Sequence, residues 1–284
     1  MMDKTLIQLA PDFFIHQDFV EPLRKYGIKN LNSVFAFQNG TDLTKKGLTR
    51  WRSRTELTLP DLNVRCFLKR YNRPPAAIQI RNWLSHGSRQ LTAMYDVLPC
   101  TELNRTGIGT YQVIAYGGRW RGVFEEKSFA ILLEIPQAQS LEKQLPDCFT
   151  QADYPAVRQS RIAFINHLAD FIRQFHQSGF CHRDLYLCHI FRNINGDLSL
   201  IDLQRAFQPR LFRSRWIRKD LAQLYYSAPG DIISQSDRLR FYLQYVQKNS
   251  LTDSDKRFIR KLKRKAWRMA DRAIRRGNCV PFAK

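Results

Sequence analysis

Residues 181–202 read CHRDLYLCHIFRNINGDLSLID and set His182-Arg183-Asp184 eighteen positions ahead of Asp202. Just upstream, Ile162, Ile165, Leu168, Ile172 and Phe175 recur at intervals of three and four. That spacing predicts a helix over Ser160 to Gln177 with a single apolar stripe. Gly179 is placed to end it, because glycine tolerates the left-handed conformation of a helix stop. Downstream, Ile190-Phe191 and Leu198 to Ile201 read as short strands. Asn193-Ile194-Asn195-Gly196 joins them, and its Asn-Gly pair favours a tight turn. Asp184 therefore precedes a hairpin and Asp202 stands at its far end.

Two carboxylates so arranged suit phosphoryl transfer, in which positioning and charge neutralisation matter more than covalent chemistry. The loop Asp184 is placed to take the proton of an attacking hydroxyl, and Asp202 to hold a magnesium that bridges nucleotide phosphates. Such a site also needs a cation for the α- and β-phosphates. Val64 to Tyr71 (VRCFLKRY) is strand-like and carries Lys69 inside a mostly apolar run, ahead of the turn Asn72-Arg73-Pro74-Pro75. Read alone, Lys69 is an edge-strand lysine in water; beside the downstream element it reads as the phosphate ligand. Its acidic partner is expected on a helix over 88–105, where Asp96 or Glu102 qualifies. Asp96 is favoured by its register with Val97, Cys100 and Leu103.

Residues 34–59 read as strand, turn and strand: Val34 to Phe37, Gln38-Asn39-Gly40, then Trp51 to Leu59. A phosphate-covering loop belongs here, yet Gly40 and Gly47 are isolated while Lys45, Lys46, Arg50, Arg52 and Arg54 abound. Side-chain cations meeting phosphate and a solvated basic hairpin are both open readings. Phe129 to Ile135 (FAILLEI) is a buried-strand run ending at Pro136. By order along the chain it leads to a hinge, where backbone groups from Glu134 to Gln137 would meet adenine.

WRSRTELTL, FLKRYNRPP, CHRDLYLCHIF, LSLIDLQRAF and KDLAQLYYSA together resemble the bacterial lipopolysaccharide kinase family of the WaaP/Kdo kinase type. The resemblance spans roughly residues 30–250. It implies an α+β, bilobal protein-kinase-like fold: a small β-rich N-lobe over 1–135 and a mostly helical C-lobe over 136–284. It also implies ATP and Mg²⁺, with a sugar hydroxyl of the lipopolysaccharide inner core, heptose or Kdo, as acceptor. Carried over by position, Asp184 is the catalytic base, supported by His182 and Arg183, Asp202 the metal ligand and Lys69 the phosphate ligand.

His189 stands five residues after Asp184, where protein kinases place a magnesium-binding Asn. Magnesium prefers hard oxygen donors, so His189 as a metal ligand, a phosphate contact or a structural donor all remain open. Tyr186 likewise replaces a lysine of serine/threonine kinases. Cys181-His182 and Cys188-His189 lack the CxxC spacing of a zinc site. Only Leu203 to Lys219 separates Asp202 from Asp220, without an Ala-Pro-Glu anchor, which favours a non-protein acceptor. Arg205, Arg210, Arg213, Arg215 and Arg218 crowd this segment, as suits a phosphorylated or carboxylated glycolipid. Asp220 reads as a brace beneath the catalytic loop or as a plain helix N-terminal acid.

At 284 residues and 44% hydrophobic content the chain can bury a full core. Its 46 Lys and Arg against 25 acids give a formal net charge of +21 and call for an anionic partner. Six cysteines without a framework pattern fit a reducing cytosol. The start, MMDKTLIQLAPDFF, has no secretory pattern, and no apolar run approaches the roughly 20 residues that span a bilayer. A cytoplasmic location is expected. Lys256 to Arg276 is a basic helix with Ile259, Leu262, Ala266, Met269 and Ala273 in stripe. It suits either solvated packing on the domain or peripheral contact with an anionic inner leaflet. A kinase-like enzyme acting on protein or another small molecule is the nearest alternative. A nucleic-acid-binding protein is the other, but it rests on charge alone; without a recognition motif, no nucleic acid is expected.

Overall fold

The computed structural model describes residues 6–43, 50–149 and 155–283. Backbone contacts divide the chain into one unit reaching Pro136, which also takes in Asp202–Gln204, and a second of Gln137–Ile201 and Arg205–Lys284.

The first unit runs β1 (Leu6–Ala10), β2 (Phe13–His16), α1 (Val20–Lys25), α2 (Leu31–Ala36), β3 (Thr41–Asp42), β4 (Arg52–Leu59) and β5 (Val64–Asn72). It continues through α3 (Ala76–His86), α4 (Met94–Arg105), β6 (Gly109–Thr110), β7 (Val113–Arg121) and β8 (Phe124–Leu133). Seven of these strands form one antiparallel sheet in the order β1-β2-β7-β8-β5-β4-β3. The two-residue period of β5 sorts its side chains. Cys66 and Leu68 join a core with Phe13, Ile15, Leu57, Phe129 and Ile131. Lys69 and Tyr71 point to the opposite face, where Arg54 and Arg52 stand directly across from them on β4.

The run from Val34 to Phe37, expected as a strand, lies mostly in α2. Asn30 accepts a hydrogen bond from the Ser33 amide at 2.9 Å and the Ser33 hydroxyl answers at the Asn30 amide, a capping box that starts a helix. Helix α3, which the sequence reading left out, opens directly after Pro74-Pro75, with Pro75 at its N-cap. Lys45, Lys46 and Gly47, candidates for covering phosphate, lie outside the described residues.

The second unit carries β9 (Ala138–Ser140), α5 (Leu141–Phe149), α6 (Pro155–Gln177), β10 (Ile190–Asn193), β11 (Leu198–Leu200), α7 (Arg213–Ser227), α8 (Gln235–Val246) and α9 (Asp253–Ile274). Strands β9, β10 and β11 pair antiparallel around β10. The β10–β11 turn closes with Gly196 at φ +90° and its amide on the Asn193 carbonyl at 3.0 Å. Helix α6 buries Ile165, Leu168, Ile172 and Phe175, four of the five residues of the expected stripe. Capping boxes Ser234–Asp237 and Thr252–Asp255 fix where α8 and α9 begin. Helices α6, α7, α8 and α9 line a partly open pocket of about 340 Å³ that includes Phe164, Leu168, Leu221, Leu224, Leu239 and Leu262.

Candidate active site

In the first unit the polar face of the sheet is a charge mosaic. Lys69 Nζ reaches Asp96 Oδ1 at 2.7 Å, with side chains 8% and 1% exposed. Tyr71 donates its hydroxyl to the other oxygen of Asp96 at 2.8 Å. Burial, and then the Asp96 charge, raise the Tyr71 phenol well above its ordinary range, so it stays a donor. Glu102, the other candidate, pairs instead with Arg105 on its own helix at 2.7 Å. The choice follows from how α4 is anchored. Glu125 on β8, 4% exposed, accepts from the Thr92 amide and the Thr92 hydroxyl, both at 2.6 Å. That ties the entry of α4 to the sheet and turns Asp96, in its first turn, toward Lys69.

Arg54 lies directly opposite Lys69, and like charges so placed repel. A second carboxylate offsets this: Asp202 Oδ1 is 3.6 Å from Arg54 Nη2. Asp202 adopts φ +57°, a left-handed conformation uncommon outside glycine and more accessible to aspartate than to most residues. Two residues on, Gln204 accepts from Arg52 at 2.6 Å and donates to the Tyr71 hydroxyl at 3.3 Å. Arg52, Arg54 and Lys69 thus form a cationic row on one sheet face, held by Asp96, Asp202 and Gln204. A phosphate chain can be met here by side chains in place of a glycine-rich loop.

In the second unit, helix α7 is the template for the catalytic loop. Asp220, fully buried, accepts from the His182 amide at 2.7 Å and the Arg183 amide at 2.8 Å. One and two turns later, Gln223 accepts from the Leu185 amide at 3.3 Å and the Ser227 hydroxyl from the Leu187 amide at 3.0 Å. Gln223 also donates to the Arg183 carbonyl at 2.8 Å and approaches Asp184 Oδ1 at 3.4 Å. Lys219, one residue before Asp220, donates to the same Arg183 carbonyl. Burial, opposed by the nearby Asp184 charge, lowers the Lys219 ammonium to about 8.

Arg183 takes φ +69° and stacks its guanidinium over Phe207 and Trp216, at 5.1 and 5.4 Å. His182, wholly buried, has Nε2 3.0 Å from the Ile201 carbonyl, and so joins the loop to the residue before Asp202. Asp184 holds its carboxylate toward Arg205, whose Nη1 lies 2.9 and 2.7 Å from the two oxygens. A carboxylate has about four lone-pair positions, so this pairing leaves room for a proton from a hydroxyl. Behind the loop, His176 connects Asp220 at 3.4 Å to the Tyr245 hydroxyl at 2.9 Å. His176, Cys181 and Asp220 lie close enough together for a metal ion. The Asp220 oxygens, however, are already engaged by backbone amides, so the cluster works as a hydrogen-bond brace.

The remaining sequence candidates divide. His189 places Nδ1 2.8 Å from the Asp184 carbonyl, a bond that ties it to the loop backbone. The Glu134 amide donates to the Arg65 carbonyl at 2.9 Å and its carboxylate pairs with Arg65, so its N–H is committed within the sheet. Gln137 is an exposed turn residue at φ +49°. The arginine strip after Asp202 is not one surface: Arg205 meets Asp184, and Arg213 donates to the His176 carbonyl at the end of α6. Lys219, Gln223 and Gln204 escaped the sequence reading, which placed Arg205 among the acceptor contacts and not on Asp184. The one available signal was the helical spacing of Lys219, Asp220, Gln223 and Ser227, which puts them on one face of α7. For a magnesium ion, Asp202 offers the hard oxygen donors that the ion prefers, whereas the imidazole of His189 does not.

A family model described as the lipopolysaccharide kinase (Kdo/WaaP) family matches residues 52–245. A relative from Pseudomonas aeruginosa named lipopolysaccharide core heptose(I) kinase WaaP is 28% identical over 214 residues, covering 70% of this chain and 79% of its own. An Escherichia coli protein of the same name is 29% identical over 206 residues, covering 69% and 77%. Among solved structures, one described as WaaP in complex with acyl carrier protein superposes with a TM-score of 0.67. It covers 87% of this chain and 95% of that one at 24% sequence identity, a likeness of fold.

Proposed function

The chain belongs to the lipopolysaccharide kinase (Kdo/WaaP) family, and from that premise we propose that it transfers a phosphoryl group from ATP to a sugar hydroxyl, heptose or Kdo, of the lipopolysaccharide inner core. The observation that carries this reading is Asp184, held by an α7 template that bonds the amides on both sides of it. Its carboxylate accepts the proton of the acceptor hydroxyl as that oxygen bonds to the γ-phosphorus and the bond to the ADP oxygen breaks. ATP would supply the phosphoryl group, and Asp202 would hold a Mg²⁺ that, when bound, would offset phosphate charge. Lys69, fixed by Asp96, meets the phosphate chain, and Arg52 and Arg54 extend the same cationic row.

A protein acceptor fits poorly. Between Asp202 and Asp220 the chain makes one 3₁₀ turn, a bridge between Phe207 and Cys181, and the start of α7. That leaves little backbone for a peptide platform. The test is transfer of label from γ-labelled ATP to core glycolipid extracted from cells that lack inner-core phosphate. Label on the core sugar is the expected result; label on protein alone, or on neither, would reject the reading.

The apolar pocket of the helical unit favours one addition. A volume of about 340 Å³ suits a hydrocarbon chain. Acyl carrier protein, with which the fold relative is described in complex, is therefore a second ligand to test by co-purification, in its acylated form.

A further inference from the structure

The excess positive charge of the helical unit accumulates in two stretches of sequence. Between residues 256 and 276 eleven cations face a single acid, Asp271, and between 205 and 218 five arginines face none. Helix α9 turns Leu262, Ala266 and Ala270 inward, which leaves Lys261, Arg264, Arg268, Arg272 and Arg275 exposed. Helix α7 packs along α9, which brings Arg215 and Arg218 to the α9 cations, whereas Arg205 and Arg213 are spent on internal partners. Lys265 marks the junction: burial first, and then Arg215, Arg218, Arg272 and Arg268, hold its ammonium below the usual lysine range. Cations packed at this density repel one another, and an anionic partner relieves the repulsion.

The N-terminus of α7 adds an apolar element to that charge. Leu211 and Phe212 are 72% and 73% exposed, although large apolar side chains are ordinarily covered. Phe212 is held at φ +56°, and its carbonyl accepts from the Arg215 amide at 2.9 Å, one turn ahead of Arg215 on the helix. Arg210 precedes the pair and is exposed, as is Arg215. A protruding Leu-Phe pair bracketed by arginines matches an interfacial anchor, in which apolar side chains enter the acyl boundary and cations lie among headgroups. Trp267 on α9 packs edge-on against Phe282 at 4.8 Å and stays half exposed.

We propose that this face, the exposed cations of α9 with Arg215, Arg218 and the Leu211-Phe212 wedge, docks the protein on an anionic phospholipid bilayer. Docking would bring a kinase for a lipid-anchored sugar to the surface where that sugar is presented. The membrane is preferred over nucleic acid because the cations flank an aliphatic-aromatic wedge and no element among the described residues presents a recognition motif. The inference goes beyond the sugar-kinase reading, and its readout is binding, so it stands or falls separately from that reading.

The test is co-sedimentation of the full chain with vesicles of phosphatidylcholine, alone or mixed with phosphatidylglycerol. Binding is expected only to the anionic mixture, and it should fall as salt rises. Each cation near the surface is worth about fivefold in partitioning, so Arg268→Ala with Arg272→Ala should weaken it about 25-fold. Leu211→Ser with Phe212→Ser should weaken it about tenfold or more while keeping the salt dependence. Unchanged melting temperatures establish that both variants fold. Equal binding to neutral vesicles, or full binding by either double variant, would overturn the proposal. So would retardation of an oligonucleotide without vesicle binding.

Discussion

Removing Asp96 should damage the protein more by stranding Lys69 than by losing one contact. The pair is nearly dry, at 8% and 1% exposure, and Lys69 faces Arg54 directly across the β4–β5 ladder. Asp96→Ala leaves a buried ammonium without its counter-charge, which costs about 3–5 kcal/mol. The Tyr71 hydroxyl also loses its acceptor, adding about 1 kcal/mol. A loss of about 4–6 kcal/mol is a large part of the 5–15 kcal/mol that holds a typical domain folded. At about 2–4 °C per kcal/mol, melting should fall by about 10–20 °C. Asp96→Asn keeps an acceptor for Lys69 but sets an amide N–H against the Tyr71 hydroxyl, which loses its acceptor, so its cost should be nearer 2 kcal/mol.

The informative variant removes both charges. Lys69→Met with Asp96→Leu replaces a buried ion pair by apolar groups, a change that is often neutral or stabilising. It should therefore recover most of the stability lost in Asp96→Ala while remaining unable to bind nucleotide productively. Urea unfolding at 25 °C, followed by far-ultraviolet circular dichroism, gives the three free energies on one scale. The reasoning is refuted if Asp96→Ala lies within about 1 kcal/mol of the parent, because Lys69 would then have found water or another partner. It also fails if the charge-free double variant is no more stable than Asp96→Ala.

Asp184→Asn should fold normally and lower turnover by about 10²–10⁴-fold, measured as label transfer to the core sugar. Asp202→Ala should abolish the Mg²⁺ dependence of nucleotide binding, read by titrating the metal against a nonhydrolysable ATP analogue; an unchanged apparent metal affinity would make Asp202 structural. For Lys219, burial sets the folded value at about 8, below the 10.5 of the free side chain. The unfolded chain therefore binds more protons between these values, so the destabilising contribution of Lys219 is full below about 8 and disappears as pH rises toward 10.5. Melting curves of the parent and Lys219→Met should accordingly differ most near neutrality and converge only as pH approaches 10.5, a trend that the opposite sign would refute.

What could be read from the sequence is what short-range order decides. The apolar stripe of α6, the stop at Gly179, the Asn-Gly turn and the two flanking carboxylates all lie within about one helix and one hairpin of each other. Lys69 was legible as a lysine in a strand, and register favoured Asp96 as its partner without excluding Glu102. Asp96 lies 27 residues away, on a helix containing Pro99, and its phase is set by Glu125 on a different strand. Val34 to Phe37 misled because a short apolar run has no period of its own; the Asn30–Ser33 capping box decided for helix. The arginines between Asp202 and Asp220 pose the harder problem, since composition treats them as equivalent. Geometry separates them by what each can reach: Arg205 turns to Asp184 and Arg213 to the end of α6, both as internal ligands. Arg215 and Arg218 instead lie beside the cations of α9. Placing charges of one sign together is unfavourable for the isolated chain. Folding leaves this surplus at the surface, where the proposed anionic bilayer would balance it.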